Sequence, residues 1–483
     1  MNGQDLVAEL AQLGVQLWEE DGQLRFRAPT GVLTEQRRAA LRQHREQVLA
    51  VVRDAAVPTA VPHPDQRYEP FPLTDVQSAY LLGRGDSYAY GGVGCHGYGE
   101  LTFPELDVDR LESAWHEVVA RHDMLRAVVN RDGSQQVRPE VPPYRIAVRD
   151  VDAAGFAEAV AATRAELDHH RYDPQQWPLF ALRVTRGPDR CVLHFSIDFL
   201  ICDFVSINIL LDELGRRYAG DPPTDALELT FRDHLLATEP LRSGPRYEAD
   251  RDWWLARLDD LPPAPELPLR GDATAAPPRF RRLDLRLDAA EWAGLKQRAG
   301  RHGVSPSGAV LAAYAEVIAA WSAHPRFTID VTLLNRTPTH PQGDRIVGDF
   351  TSVSLLAVEQ DPDAPVQERA KRIQAQLWTD LDHRRFSGVD VVRELARRRG
   401  GDAALMPVVF TSAIGLGGDT GVEGFGELGY GISQTPQVWI DCQNIERSGG
   451  LATNWDVREG VFPDGVVEQM FAAYAALLRR LAL

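Results

Sequence analysis

Cysteine is scarce in this sequence and never occurs in closely spaced pairs. The 483 residues include four cysteines, Cys95, Cys191, Cys202 and Cys442. No two of them form a CxxC motif, which excludes a disulfide-rich scaffold and the common zinc-ligand spacings. We therefore expect free thiols in a reducing cytoplasm, and we expect no metal site.

Long apolar runs and excess positive charge are also missing. No segment approaches the roughly 20 apolar residues of a membrane span, and the N-terminal stretch MNGQDLVAEL lacks the basic and apolar regions of a signal peptide. The 69 acidic residues outnumber the 52 lysines and arginines, which gives a formal net charge of −17. This balance argues against nucleic acid or an anionic membrane as the main partner. The sequence contains no P-loop and no GxSxG motif.

The remaining composition is that of an ordinary globular protein with several cores. Hydrophobic residues make up 44% and charged residues 25% of the chain, whose length exceeds what one core supports. Alternating strand-like and helix-like segments follow a proline-rich linker, and a second proline-rich stretch begins at Leu261. We predict an α/β (α+β) fold with a small unit at 1–56, a linker at 57–67 and halves at 68–265 and 266–483, enclosing a cleft.

The first 56 residues show two helical patterns around a hairpin pattern. Apolar residues recur at helical spacing from Leu6 to Leu13, and a second helix is predicted to begin at Thr34 as N-cap. Between them, VQLWEEDGQLRFRA consists of two alternating runs joined by Asp21-Gly22, a strong turn signal. Arg25 and Arg27 share one face of the second run. An exposed strand edge with two arginines can add an acidic peptide as a further strand, and a solvated ribbon is the alternative.

This unit resembles the TubC-type N-terminal docking domains of nonribosomal peptide synthetases over nearly its whole length. The resemblance covers the leading helix, the GVQLWEEDGQLRFRAP hairpin and the closing LTEQRRAALRQHREQVLAVV helix. In that family the hairpin edge captures the acidic C-terminal tail of an upstream synthetase subunit. The resemblance therefore implies that Arg25 and Arg27 bind such a tail.

The stretch CVLHFSIDFLICDFVS, residues 191–206, combines a buried-strand pattern with two carboxylates. Asp198 and Asp203 lie among large apolar residues, so each must find a partner or shift its pKa. Asp203 also precedes an apolar helical run and is placed to cap that helix. We expect Asp198, Asp203 and Ser206 to brace the interior, with arginines as partners, while direct chemistry by the two carboxylates stays open. Cys202 is expected to be a packed thiol.

Seven ordered stretches resemble one family. They are FPLTDVQSAYLLGR (71–84), RHDMLRAVVNRDGSQ (121–135), DFLICDFVS (198–206), LPPAPELPL (261–269), VGDFTSVSLL (347–356), LWTDLDHRRFSGVDVVRE (377–394) and PVVFTSAIG (407–415). Over about residues 68–480 they resemble the heterocyclization domains of nonribosomal peptide synthetases, in which DxxxxDxxS replaces the HHxxxDG of ordinary condensation domains. The resemblance implies two chloramphenicol-acetyltransferase-like lobes in a V-shaped pseudodimer, with a tunnel between them.

The resemblance also implies a two-step reaction. An upstream carrier-bound acyl or peptidyl thioester is joined to the amine of a carrier-bound Cys, Ser or Thr, and the acceptor's side chain then attacks the new amide. Loss of water gives a thiazoline or an oxazoline. Cysteine is favoured because a thiol ionises more readily than a hydroxyl. No bound cofactor is implied; the substrates arrive on the 4'-phosphopantetheine arms of upstream and downstream peptidyl carrier proteins.

Ring closure needs an acid/base group at the amide. A partly buried Asp whose pKa is raised by desolvation can take and return a proton, and a nearby hydroxyl can hold it in place. By resemblance these residues are Asp441, after the apolar run VWI, and Thr411 in PVVFTS. Spacing alone favours a strand-end turn for Asp441 and strand packing for Thr411, and the functional roles depend on the resemblance. Further candidates for tunnel or substrate contacts are Asn335, Ser412, Gln434 and Asp349.

Several local patterns are set aside. LGGDT at 416–420 has Thr where a carrier protein needs its attachment Ser, and GGVGCHGYG at 91–99 is expected to be a flexible loop. His169-His170 with Asp173 departs from HHxxxDG in spacing, and the intervening Arg171 and Tyr172 are expected to be exposed. Asn454 to Asp456 are expected to close a loop. Two rival functions stay open: an amide-forming condensation domain without cyclization, and a catalytically silent docking scaffold.

Overall fold

The computed structural model describes most of the chain after the linker and part of the N-terminal unit. The described residues are 16–20, 23–27, 38, 40–42, 44–49, 58–86, 88–222, 224–275, 277–415 and 425–483. The predicted leading helix, the Asp21-Gly22 turn, the Thr34 cap and the LGGDT stretch lie outside the described residues.

Strands and helices alternate from residue 75 onward. The strands are β1 Gln16–Glu20, β2 Gln23–Arg27, β3 His96–Phe103, β4 Ala127–Val129, β5 Gln135–Val137, β6 Ala147–Asp150, β7 Phe180–Arg186, β8 Cys191–Asp198, β9 Phe280–Leu287, β10 Arg326–Leu334, β11 Thr351–Glu359, β12 Val408–Ala413, β13 Glu427–Gln434, β14 Ile440–Arg447 and β15 Gly450–Arg458. The helices are α1 Asp75–Gly83, α2 Val108–Arg121, α3 Phe156–Leu167, α4 Phe204–Ala219, α5 Phe231–Thr238, α6 Pro245–Arg257, α7 Ala289–Arg301, α8 Pro306–Trp321, α9 Val366–Asp382, α10 Gly388–Arg399 and α11 Val466–Ala482.

The predicted hairpin is present near the N-terminus. Strands β1 and β2 pair antiparallel, with Gln16 opposite Arg27 and Glu20 opposite Gln23. The pairing of these two runs as an antiparallel hairpin is as predicted. Arg25 and Phe26 on β2 are exposed, so this strand presents both charge and apolar surface to a partner.

The first lobe is built on a five-stranded sheet in the order β13-β3-β8-β7-β6. Strand β8 is buried along its entire length, because it lies at the centre of the sheet with neighbours on both sides. Helix α2 packs its predicted apolar face against this sheet, with Leu111 and Trp115 fully buried and Trp115 in edge contact with Phe180. The sequence predictions for this strand and helix are confirmed.

The two halves of the chain exchange segments. Strand β13, from the second half, pairs antiparallel with β3 in the first-lobe sheet. Phe350 packs in the same core as Phe231 of the first half, and Trp254 of the first half packs with Val391 of the second. The predicted boundary between residues 265 and 266 divides the sequence into two halves. The hydrophobic cores do not follow this boundary, because each half contributes strands or side chains to a core of the other.

The second lobe is a six-stranded mixed sheet in the order β11-β10-β12-β14-β15-β9. Helix α8, predicted from Ser307, is its most buried helix, and its Tyr314 contacts Trp455 and Tyr474. Within the described ranges, no single helix is long and apolar enough to cross a membrane; α7 and α8, bent by 93°, reach that length and composition only as a pair.

Three sequence predictions of loops are wrong. Residues 96–99 begin strand β3 and are largely buried, because they pair with both β8 and β13. Tyr172 is buried, and its hydroxyl lies 2.9 Å from Ser196 Oγ. Asn454 to Asp456 lie within β15, between β14 and β9. In each case a distant strand or side chain supplies the partner, which short-range patterns cannot reveal.

Candidate functional site

A cavity of about 960 Å³ lies between the two sheets. Its walls combine β3 and β13 of the first-lobe sheet with β9, β10, β12 and β14 of the second. Gly99 lies in the first-lobe wall, where an added Cβ would meet no atom within 4 Å, so the missing side chain leaves space for a ligand. A cavity of this size can hold a small-molecule substrate.

Parallel pairing brings the two predicted catalytic residues together. Val409 on β12 lies opposite Asp330 on β10 and opposite Asp441 on β14. Two residues further along β12, Thr411 lies opposite Thr332 on β10 and Gln443 on β14. Alternate residues of a strand face the same side of the sheet, so the row through Val409 and the row through Thr411 face the same side. All six residues of these two rows line the cavity, and together they form a largely polar patch on its wall.

Thr411 and Asp441 are in direct contact. Thr411 Oγ1 lies 3.0 Å from Asp441 Oδ1 and 2.9 Å from Thr332 Oγ1. A hydroxyl has one proton and two acceptor sites, so Thr411 can donate to Asp441 while it accepts from Thr332. Thr411 therefore fixes one oxygen of the carboxylate.

Gln443 holds the other oxygen of Asp441. Its amide nitrogen donates to Asp441 Oδ2 at 2.7 Å and to Ser433 Oγ at 2.6 Å. Burial raises the pKa of Asp441 to about 6, and the Gln443 hydrogen bond opposes that rise. A carboxyl group with this pKa is suited to accept and return a proton near neutral pH.

An ion pair supports this arrangement from the neighbouring strands. Arg282 on β9 donates to both carboxylate oxygens of Asp456 on β15, at 2.7 and 2.6 Å. Asp456 in turn accepts hydrogen bonds from the backbone and side chain of Ser433 at 2.9 and 2.8 Å. Because Ser433 belongs to β13, the network around Asp441 reaches the strand that completes the first-lobe sheet.

Asp198 is a buried carboxylate paired with an arginine. It is fully buried, pairs with the guanidinium of Arg84 and accepts a hydrogen bond from the backbone N–H of Leu200 at 2.9 Å. Burial raises the pKa of Asp198, and Arg84 opposes that rise. The expected arginine partner is present.

Asp203 and Ser206 connect the two lobes. Asp203 is the N-cap of α4 and accepts from the backbone N–H of Ser206 at 2.7 Å, as the sequence predicts. Arg336, from the second half, donates to Asp203 Oδ1 and to Ser206 Oγ, both at 2.9 Å. Ser206 Oγ also donates to the carbonyl of Gly348 at 2.9 Å. These contacts tie the start of α4 to the second half of the chain, and Asp203 also borders the cavity.

The other four candidate tunnel residues lie outside the cavity lining. Asn335 is exposed and follows β10, and Ser412 Oγ accepts from Ser307 Oγ at 2.8 Å. Gln434 is buried and donates to the carbonyl of Gly94 at 3.0 Å. Asp349 is fully buried, and burial raises its pKa to about 8. Their predicted substrate contacts stay predictions.

His169 and His170 contact neighbouring residues, and the cysteines are packed in the interior. His169 Nε2 accepts from the backbone N–H of Phe280 at 2.7 Å, and His170 packs edge-on to Tyr172. All four cysteines are buried, and burial raises the pKa of the Cys202 thiol. In the part of the chain that the structure describes, no group of three or more His, Cys, Asp or Glu side chains is placed to hold a metal ion.

Sequence reasoning missed Asp330, Thr332 and Gln443. Each lies two residues from another polar residue within an apolar strand, in IDVT and IDCQ. Polar residues at that spacing face the same side of a strand, and this pattern could have indicated a polar face in the cavity wall. The pairing of β10 with β12 and of β12 with β14, on which their proximity depends, joins segments about 80 and 30 residues apart.

Comparisons with known proteins agree with this architecture. The family model described as the condensation domain matches residues 98–482, and the TubC N-terminal docking domain matches residues 4–53. Pyochelin synthetase PchF of Pseudomonas aeruginosa is 47% identical over 97% of this chain, and phenyloxazoline synthase MbtB of Mycobacterium tuberculosis is 38% identical over 88%. This chain spans 26% and 31% of their lengths, respectively.

A solved structure matches both units together. The EpoB cyclization-docking bidomain of Sorangium cellulosum superposes with a TM-score of 0.86 at 37% identity, and the match covers 99% of this chain and 98% of that one. The first condensation domain of the calcium-dependent antibiotic synthetase, at 18% identity and a TM-score of 0.69, shares the fold. The predicted pseudodimer of α/β lobes is confirmed. The chain belongs to the condensation domain family of nonribosomal peptide synthetases, as a heterocyclization-type domain preceded by a TubC-type docking domain.

Proposed function

We propose that this chain condenses an acyl or peptidyl thioester with the amine of a Cys, Ser or Thr acceptor and then closes the product to a thiazoline or oxazoline. The observation that carries the proposal is the contact of Thr411 with Asp441 in the cavity wall, together with the raised pKa of that carboxyl. An ordinary amide-forming domain needs no such pair for its amine to attack a thioester.

In the second step Asp441 acts as the acid/base residue. The acceptor thiol or hydroxyl adds to the amide carbon, and its proton passes through Asp441 to the carbonyl oxygen, which becomes a hydroxyl. The ring nitrogen then loses its proton to Asp441, which returns it to the departing hydroxyl, so that one water leaves and a C=N bond forms. Thr411 and Gln443 keep the carboxylate aligned through both transfers.

The substrates are thioesters on the 4'-phosphopantetheine arms of an upstream and a downstream peptidyl carrier protein. The cavity lining includes Leu82 of α1 and Arg393 of α10 as well as Arg286 and Arg447 near the ends of β9 and β14, so elements of both halves of the chain border the space that the two arms would share. One relative is named for a phenyloxazoline product, so an oxygen nucleophile stays possible. Cysteine is favoured because its thiol ionises more readily.

The N-terminal unit is proposed to bind the acidic C-terminal tail of an upstream synthetase subunit. Arg25 on the exposed strand β2 supports this proposal, because an added strand can pair with the backbone while the guanidinium meets acidic side chains. Arg27, whose backbone ends the same strand, is the second candidate for this contact.

Reconstitution with loaded carrier proteins tests the catalytic proposal. The donor and a cysteinyl acceptor are presented on separate carriers, and the product is identified by mass. We expect Asp441→Asn to form the linear amide at close to the normal rate and to lower ring closure by about 100-fold or more, the scale of a lost general acid/base. Asp284→Asn, an exposed carboxylate on the same sheet, is the matched control and should close the ring normally.

The rival functions give other products. A wild-type chain that releases only the linear amide is a condensation domain without cyclization, and a chain that forms no coupled product is a docking scaffold. Normal ring closure by Asp441→Asn would remove Asp441 from the mechanism even if the overall reaction is as proposed.

A further inference from the structure

Asp330 is a polar group in the cavity wall for which neither the fold nor the proposed acid/base step accounts. It lies on β10, one strand beyond Thr411, and lines the cavity. Its Oδ1 atom is buried, and none of the described residues donates a hydrogen bond to it. A buried carboxylate oxygen without a donor costs free energy, so this residue is a candidate for binding a ligand.

The neighbouring charges do not neutralise Asp330. Arg282, on the same face of the sheet, is engaged by both oxygens of Asp456 and by Gln443. Asp441 is held by neutral donors, the Thr411 hydroxyl and the Gln443 amide. The wall around Asp330 and Asp441 therefore carries uncompensated negative charge, which favours a cation over a neutral or anionic ligand.

We propose that Asp330 binds the amino group of the acceptor substrate. This inference rests on the proposed function, because it takes a carrier-bound amino acid as the acceptor. The amino group is the part of such an acceptor that carries positive charge, while its thioester and the amides of the pantetheine arm are neutral. A carboxylate accepts from an ammonium group in a charge-assisted hydrogen bond.

The position of Asp330 fits this role. It shares a row with Asp441, and Val409 separates them, so their Cα atoms are about 10 Å apart at two strand spacings. An amino group at Asp330 thus lies beside the acid/base pair rather than across the cavity from it. Burial, and then the charge of Asp441, raises the pKa of Asp330 to about 7. The carboxyl can therefore accept the ammonium proton at neutral pH and leave the amine free to attack.

A binding experiment tests the subsite without requiring catalysis. The probes are a cysteinyl pantetheine mimic with a stable amide in place of the thioester, and its N-acetyl derivative, which lacks the cationic amine. We expect the wild-type chain to bind the free-amine mimic at least about tenfold more tightly, the scale of one charge-assisted hydrogen bond. Asp330→Leu, similar in branching but without an acceptor oxygen, should bind both mimics equally.

Two further variants keep the test decisive. Asp330→Asn retains one acceptor oxygen and should keep part of the preference, and Asp363→Leu, which removes an exposed carboxylate outside the cavity lining, should keep all of it. An unchanged preference in Asp330→Leu, or no preference in the wild-type chain, overturns the proposal. If the wild-type chain prefers the amine but forms no ring with loaded carriers, the subsite stands and the proposed function fails.

Discussion

At the scale of single residues, the site is defined by which hydrogen bonds reach Asp441. Each carboxylate oxygen has one neutral donor within 3.0 Å, Thr411 at Oδ1 and Gln443 at Oδ2. Neutral donors orient the carboxylate but stabilise its charge less than an arginine does. This explains why burial prevails at Asp441 and raises its pKa, whereas the guanidinium of Arg282 is directed to Asp456.

This arrangement predicts the pH dependence of ring closure. In the proposed step Asp441 must be ionised to accept the first proton, so we expect the rate to rise with pH through about 6 and then level off. Gln443→Leu removes a hydrogen bond that lowers the pKa of Asp441, and the midpoint should therefore move to higher pH. The rate of ring closure of a preformed linear amide, measured from pH 5 to 8, checks both expectations.

The matched control for Gln443→Leu is Asn454→Leu. Asn454 lies opposite Gln443 on β15 and also lines the cavity, so the control makes a similar change in the same wall. Its midpoint should stay near that of the wild-type chain. A midpoint that is the same in all three proteins would mean that Gln443 has no influence on the titrating group.

At the scale of elements, residues 198–206, the signature stretch, join α4 to the second lobe through an ion pair and hydrogen bonds. Arg336 joins Asp203, which caps α4, to the loop before β11, and its guanidinium lies 4.0 Å from the centre of the Phe350 ring. Asp203 is buried with its partner, so removal of the guanidinium leaves an unpaired carboxylate in the interior. Such a loss is much more costly than the loss of an exposed pair.

We therefore predict that Arg336→Met destabilises the domain by about 3 kcal/mol and lowers amide formation and ring closure together. Urea denaturation measures the first effect, and the carrier-protein assay measures the second. Arg326→Met, which breaks an exposed pair with Glu359, is the control and should cost less than about 1 kcal/mol. Loss of ring closure alone in a fully stable Arg336→Met protein would place this arginine in the chemistry instead.

The elements also show how far the sequence could be interpreted. Periodicity located α2, α8, β8 and the hairpin, because each signal is contained within a short stretch. The carboxylates of the signature stretch were predicted to meet arginines, since a buried charge requires a partner. The identities of Arg84 and Arg336 could not be predicted, because each contact joins residues more than 100 positions apart. The same limit hid Asp330 and Gln443, whose roles depend on strand order.

At the scale of the whole molecule, the docking unit and the catalytic lobes are proposed to serve separate contacts. We predict that Arg25→Glu weakens binding of an acidic upstream tail by roughly tenfold, as expected for reversal of one exposed charge. Ring closure with carriers supplied in excess should be unaffected, because none of the described side chains of β2 lines the cavity.

Isothermal titration with a synthetic acidic peptide measures this effect. Arg131→Glu, the same charge change on an exposed turn of the first lobe, is the control and should bind like the wild-type chain. Equal affinities for all three proteins would indicate that Arg25 does not contact the peptide and that the hairpin is a solvated ribbon.

Strand β13 belongs to the second half of the chain but completes the first-lobe sheet. This arrangement has a consequence for the order in which the protein folds during synthesis. The first-lobe sheet has its β3 edge unpaired until Gln434 has left the ribosome, long after β8 and α4 are available. An unpaired strand edge on a nascent chain can pair with other chains. The first lobe therefore completes its sheet only when most of the second has been made, and the interval is a period of exposure to aggregation or to chaperones.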